Sequence, residues 1–168
     1  LPDESAAKAF VDVVVRGEGE RTWVELLSRL ESASPSTHPL TSGVDVDGIK
    51  GVTYQNDEGE VVSTPSQTAI PADELDGLPY PAWHLFKLGC YTNLQPTVDE
   101  VDGPSLPILT SRDCPYACTY CAQLGPRRWR ARSVESVVDE WRWLVREQGA
   151  AEVGVLDDSF NIDRQRVL

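Results

Sequence analysis

Methionine is absent from all 168 positions, position 1 included, and lysine occurs only at Lys8, Lys50 and Lys87. A chain without a starting methionine, opening inside an apparent helix end that leads into a strand, reads as a segment of a longer protein. No apolar run approaches the roughly 20 residues needed to cross a bilayer, and no basic-then-apolar leader opens the sequence. The expected address is therefore the cytoplasm, with no membrane partner. Net positive charge is also missing: the formal charge of −12 leaves no phosphate-neutralising excess, which argues against a nucleic-acid partner. An acidic, lysine-poor surface is compatible with a high-salt organism and says nothing about fold. Histidine is scarce too, at His38 and His84 only.

What is present is enough to fold. A 40% hydrophobic content can bury a core. Val11 to Val15, interrupted only by Asp12, predicts a largely buried strand. It runs through Arg16-Gly17-Glu18-Gly19-Glu20 into a helix, for which Thr22 and Glu25 make a capping-box pattern. Trp23, Leu26, Leu27 and Leu30 then share one face at helical spacing. The glycine loop does not read as a phosphate loop, because Glu18 and Glu20 repel phosphate and the Lys-Ser/Thr pair is missing. Its glycines permit a tight strand-to-helix turn.

Glu31 to Asp47 is rich in Ser, Pro, Thr and Asp and marks a boundary or exposed loop. Ile49 to Gln55 and Glu60 to Thr64, around Asn56-Asp57-Glu58-Gly59, predict a β-hairpin. Leu75 to Trp83 carries Pro79 and Pro81, which favour an extended connector laid across a surface. Gln95 to Pro107 is again polar and proline-bearing. Ile108 to Ser111 predicts a short strand, and Val134 to about Gln148 a helix. Ser133 is its expected N-cap and Gly149 its stop. Val134, Val137, Val138, Trp141 and Val145 form the expected buried stripe. Glu152 to Leu156 predicts a second strand, so that strand, loop, helix and strand make one βαβ step of a parallel sheet.

Three of the four cysteines crowd one loop, Cys114-Pro-Tyr-Ala-Cys118-Thr-Tyr-Cys121. Structural zinc wants four ligands, commonly as two separated pairs, but no second pair exists and the nearest other candidates, Cys90 and His84, are both distant in sequence. A disulfide is disfavoured by an odd cluster in a chain without a secretory leader. Three closely spaced thiolates suit a cubane iron–sulfur cluster with one iron left open, and an amine with a carboxylate can chelate that iron. A four-cysteine electron-transfer or structural cluster would need Cys90, and a small zinc module stays as a third reading.

The C-x3-C-x2-C loop directly after a strand, set in Thr110-Ser-Arg-Asp113-Cys114, resembles the radical S-adenosylmethionine (SAM) superfamily. That resemblance implies a [4Fe–4S] cluster held by Cys114, Cys118 and Cys121. Such a cluster gives one electron to bound SAM, yielding methionine and a 5′-deoxyadenosyl radical that abstracts hydrogen from a small-molecule substrate. It also implies a reducing electron donor such as ferredoxin or flavodoxin. Tyr120 matches the aromatic position near the SAM adenine. Asp157 and Asp158 stand at the acidic motif that could hold the SAM ammonium. Asp113 departs from the pattern, since relatives usually have glycine before the first cysteine. Arg127, Arg128, Arg130 and Arg132 read as a solvated, salt-bridged loop.

Further segments extend the likeness to radical SAM proteins with an N-terminal cobalamin-binding domain: Val11 to Glu20, Gly48 to Tyr54, Leu75 to Ala82, Arg130 to Ser133 and Asp157 to Phe160. The implied fold class is α/β. Residues 1–35 would end a Rossmann-like B12-binding domain, 36–104 would connect the domains, and 105–168 would open a radical SAM partial barrel. Gly17, Glu18 and Gly19 would line the cobalamin, whose cobalt-ligating motif is expected upstream of Leu1. His38 and His84 match no such motif. The implied activity is cobalamin-dependent methyl transfer to an unreactive carbon or an oxidative cyclisation like that of the anaerobic magnesium-protoporphyrin ester cyclase. The segment alone is expected not to turn over.

Overall fold

A computed structural model describes residues 2–6, 11–32, 46–92, 102–122 and 127–168. The chain divides into two compact units, 1–69 and 70–168. Most of the expected loop around residues 31–47, and with it His38, lies outside the described residues.

The first unit is a three-stranded antiparallel sheet carrying helices. A short helix α1 (Pro2–Ala6) precedes β1 (Val13–Val15) and helix α2 (Glu20–Ser32). The hairpin β2 (Val52–Gln55) and β3 (Val61–Ser63) follows as expected. Its turn is closed by Asn56 Oδ1, which accepts from the Glu60 N–H at 2.7 Å, and by Gly59 at φ 82°. The strand order is β1-β2-β3, with Val14 opposite Thr53 and Tyr54 opposite Val62. β1 is thus an antiparallel edge, half-buried rather than largely buried. Leu26, Val46, Ile49, Val52 and Tyr54 make the core. Of the expected apolar face of α2, Leu26 is buried and Leu30 packs on the core, while Trp23 and Leu27 are exposed.

The capping box is not formed. α2 starts at Glu20, so Thr22 lies inside the helix, fully buried, and its hydroxyl donates to the Lys50 carbonyl at 2.9 Å. Glu25 pairs with Arg29 at i,i+4 instead. The tertiary partner wins because a buried hydroxyl needs an acceptor wherever it lies. Gly51, at φ 80°, lets the backbone turn where a Cβ would stand 3.0 Å from Thr22 Oγ1.

The second unit holds the expected βαβ step. β4 (Ser105–Ile108) runs parallel to β7 (Glu152–Val155), with Leu106 opposite Val153, and helix α3 (Val134–Arg146) crosses between them. Ser105 Oγ donates to Glu152 across the pair at 2.6 Å. The predicted strand over 108–111 is broken. β4 ends at Ile108, and after Thr110 the chain enters β5 (Ser111–Arg112), which pairs antiparallel with β6 (Arg130–Ala131). A final short helix, α4 (Arg164–Val167), is capped by Asp163.

Ser133 caps α3 as expected, accepting from the Ser136 N–H at 3.1 Å. Gly149 takes the left-handed conformation after the helix, at φ 68°. The buried face of α3 differs from the expected stripe. Val134, Val138, Trp141 and Val145 are exposed, whereas Leu144 and Glu140 are buried and Val137 and Trp143 pack on the core. The core is Trp83, Leu106, Ile108, Leu144 and Ala150. Glu140 reaches the buried side only because Arg132 pairs with it, so a charged residue occupies a position that periodicity assigns to solvent.

The proline-bearing segment is a clasp within this unit. Leu75 and Trp83 are buried, and Tyr80 stacks on Trp143 with ring centroids 5.0 Å apart. The Asp76 carboxylate accepts from the Ser133 N–H at 2.9 Å, at the start of α3. Burial pushes the Asp76 pKa up, but hydrogen bonds from Ser133 and Ser136 and the nearby Arg132 guanidinium outweigh it and leave the carboxyl below its ordinary value.

Candidate functional site

The cysteine loop is staked at both ends by backbone pairing. β5 ends at Arg112 and β6 begins at Arg130, and these two residues are cross-strand partners. The loop therefore leaves and returns at one point, beside the C-terminal ends of β4 and β7. Loops at that end of a parallel pair are where α/β folds place ligands. Cys114 is half-buried, with Sγ 3.8 Å from Ser159 Oγ; Cys118 and Cys121 are exposed. The Cys121 N–H donates to the Cys118 carbonyl at 3.1 Å, a tight turn between the second and third thiols. Cys90 is exposed on a 3-10 turn, Leu88–Cys90, and all four cysteines are free thiols.

Among the described residues, no three His, Cys, Asp or Glu side chains are gathered closely enough to hold a metal ion. The structure thus puts the three cysteines on one loop without converging their sulfurs. The donor set still fits a cluster: three soft thiolates within eight residues, none in a disulfide, one anchored and two on an exposed stretch. Metal binding commonly completes such a loop, because ligand convergence and folding are linked.

Asp157, expected to help hold the SAM ammonium, is engaged by the chain's own donors. Its Oδ1 accepts from the Thr110 N–H at 2.7 Å, and its Oδ2 accepts from the Ser111 hydroxyl at 2.7 Å and from the Thr110 hydroxyl. Thr110 and Ser111 are 1% and 2% exposed, so this half-buried carboxylate satisfies three buried donors where β4 gives way to β5. The signal available in sequence was the pairing of Thr-Ser after one strand with Asp-Asp after its neighbour. Asp158 is exposed. Tyr120 is 90% exposed.

The four arginines separate into two kinds. Arg127 and Arg128 are exposed. Arg130 is buried and pairs with Asp113 and the Ile70 carbonyl, and Arg132 pairs with Glu140 and the Leu109 carbonyl. Arg166, which the sequence reading passed over, donates to the Thr110 carbonyl at 2.7 Å and the Arg132 carbonyl at 3.2 Å. Its guanidinium stands 6.0 Å from the Trp129 ring centroid. The loop's base is therefore a charged, hydrogen-bonded platform.

In the first unit, Gly17 is exposed at φ 76° with open space where a Cβ would stand. Glu18 is half-buried, and a Cβ on Gly19 would meet the Trp23 ring at 2.9 Å. Arg16 ties the start of this loop down, its N–H donating to the Gly51 carbonyl at 2.7 Å and its guanidinium to the Val52 carbonyl at 3.1 Å. The loop offers an open surface and no cobalt ligand. His84 is exposed on a 3-10 turn of the second unit.

No family model matches the chain. It is 34% identical over 162 residues to an uncharacterized methyltransferase of Pyrococcus horikoshii, covering 94% of this chain and 30% of that protein. It is 27% identical over 160 residues to the anaerobic magnesium-protoporphyrin IX monomethyl ester cyclase of Rubrivivax gelatinosus, covering 95% of this chain and 26% of that one. The chain thus spans less than a third of the length of these relatives. Among solved structures it resembles a radical S-adenosylmethionine methyltransferase, TsrM, from Kitasatospora setae, determined with cobalamin and a [4Fe–4S] cluster bound. The TM-score is 0.53 at 25% identity, covering 90% of this chain and 27% of that one.

Proposed function

Because this chain belongs to the radical SAM family whose members carry a cobalamin-binding domain, we propose that it holds a [4Fe–4S] cluster and SAM. It serves, on this reading, as the cluster-bearing segment of a cobalamin-dependent enzyme. The observation that carries this is the loop 113–121, pinned at its base by β5 and β6 and presenting Cys114, Cys118 and Cys121 as free thiols. When bound, such a group supplies the electron that cleaves SAM reductively.

The chain's own residues have separable tasks. Cys114, Cys118 and Cys121 supply three thiolates. Asp157 holds the Thr110 and Ser111 end of the β4 loop in place, leaving Asp158 as the free carboxylate for the SAM ammonium. Tyr120, unburied by its own loop, offers a ring for the adenine to pack on. Gly17, Glu18 and Gly19 offer the cobalamin a surface; no step is assigned to that cofactor, since the described residues supply it no ligand. Methyl transfer to a carbon of a small-molecule substrate is the favoured outcome, in line with the name of the more identical relative, and ring closure is the competing one. A low-potential donor such as ferredoxin or flavodoxin would deliver the electron. The cytoplasm is the fitting address, because reduced thiols persist there.

The test is iron and sulfide analysis after anaerobic reconstitution of four single variants. Changing Cys114, Cys118 or Cys121 to Ala should abolish iron retention, and Cys90→Ala should leave it intact. Loss on Cys90→Ala would instead indicate four-cysteine ligation, and bound zinc would indicate the small zinc module.

A further inference from the structure

Asp113, immediately before Cys114, lies at φ 62°, in the left-handed region that L side chains other than Asn and Asp rarely adopt. Arg127 is the only other non-glycine residue among the described ones with positive φ, and it is exposed. Asp113 is not: its side chain is 12% exposed and that of Arg130 is 5%. Two guanidinium nitrogens of Arg130, Nε at 3.2 Å and Nη2, donate to the same oxygen, Asp113 Oδ2. Arg130 also donates to the Ile70 carbonyl. The ion pair crosses from β6 to the residue after β5, at the one point where the cysteine loop leaves and returns.

Tolerance of the left-handed region accounts for an Asp on a surface turn, but not for one that is 12% exposed and doubly hydrogen-bonded. A carboxylate taken from water is disfavoured unless a partner compensates it, so the pair fixes the Asp113 backbone and side chain together. Since Cys114 is the next residue, fixing φ at 113 fixes the direction in which the first thiol leaves the strand. This is consistent with Cys114 being half-buried while Cys118 and Cys121 are exposed.

We propose that the Asp113–Arg130 ion pair is a positioning lock that holds the left-handed turn before Cys114 and so sets the aim of that thiol, with Arg130 as a positioning residue for the cluster site. The proposal rests on the cluster reading for its purpose, but its geometry can be tested without a cluster.

The experiment is a mutant cycle on the metal-free chain, reading the alkylation rate of Cys114 relative to Cys118 by mass spectrometry, with iron retention measured in parallel. Arg130→Gln should raise the relative Cys114 rate by about fivefold, the factor expected when about 1 kcal/mol of local order is lost. In the Asp113→Gly background, where glycine takes the turn unaided, the same Arg130→Gln change should leave the relative rate essentially unmoved and should preserve iron retention. An unchanged rate in the first case, or equal effects in both backgrounds, would overturn the lock. Should Arg130→Gln fail to fold by circular dichroism, Asp113→Asn and Asp113→Ala decide the matter. Asn, which takes the left-handed turn as readily as Asp but gives up the ion pair, should raise the rate toward that of Ala; an Asn variant with the wild-type rate would overturn the lock. A wild-type chain that retains no iron would refute the cluster reading alone, leaving the alkylation cycle to judge the lock.

Discussion

Replacing Asp157 with Ala separates a carboxylate that holds the fold from one that only holds a ligand. In the wild-type chain it satisfies the Thr110 N–H and the hydroxyls of Thr110 and Ser111, all on residues 1–2% exposed. Hydrogen bonds to a charged partner are worth roughly 1.5–3 kcal/mol each, and a buried donor left alone costs about 1–3 kcal/mol. The two hydroxyls can rotate toward other acceptors, whereas the backbone N–H cannot, and water can reach the half-buried carboxylate. The net loss should therefore fall well below the sum, at about 3 kcal/mol. Against a domain stability of roughly 5–15 kcal/mol this is a large fraction. Urea denaturation of the metal-free chain, followed by tryptophan fluorescence, should show the midpoint falling by roughly 2 M for a slope near 1.5 kcal/mol per M. Asp157→Asn, which keeps one acceptor, should fall between. A variant within about 0.5 kcal/mol of wild type would refute the fold-holding role of Asp157 and leave it to the ligand-holding use expected from the sequence.

Two further outcomes follow from the packing. Leu144→Ala should destabilise the second unit by about 2–5 kcal/mol, while Val145→Ala, one residue on and 46% exposed, should stay within about 0.5 kcal/mol; denaturant midpoints decide between this face and the one expected from periodicity. Asp76 has a depressed pKa, so its stabilising contribution should be full above the ordinary value of 3.8 and fade as pH falls below it. The melting-temperature difference between wild type and Asp76→Asn should accordingly be present near neutral pH and shrink in acid; a difference independent of pH would contradict the assignment.

The parts legible in sequence were those with local causes. The hairpin announces itself through Asn56 to Gly59, the start of α3 through Ser133, and the parallel βαβ step through its alternation of apolar runs. The three thiols are evident from spacing alone. What escaped reading depends on distant partners. Thr22 looks like a cap because nothing nearby reveals the Lys50 carbonyl that its hydroxyl meets. Glu140 carries the charge of a solvent-facing residue, and only the folded chain reveals that Arg132 neutralises it. Asp113 stands out in sequence as a departure from glycine, yet its answer lies seventeen residues on, in Arg130. The segment from Leu75 to Trp83 reads as an extended connector, whereas Asp76 and Trp83 bind it to α3 and the core.

The measurement that tests the central claim most directly is the electron paramagnetic resonance spectrum of the anaerobically reconstituted, dithionite-reduced chain with and without SAM. Three thiolates leave one iron open, so added SAM should shift the g-values of the reduced cluster. A spectrum indifferent to SAM at saturating concentration would contradict the assignment of Cys114, Cys118 and Cys121 as a site-differentiated set.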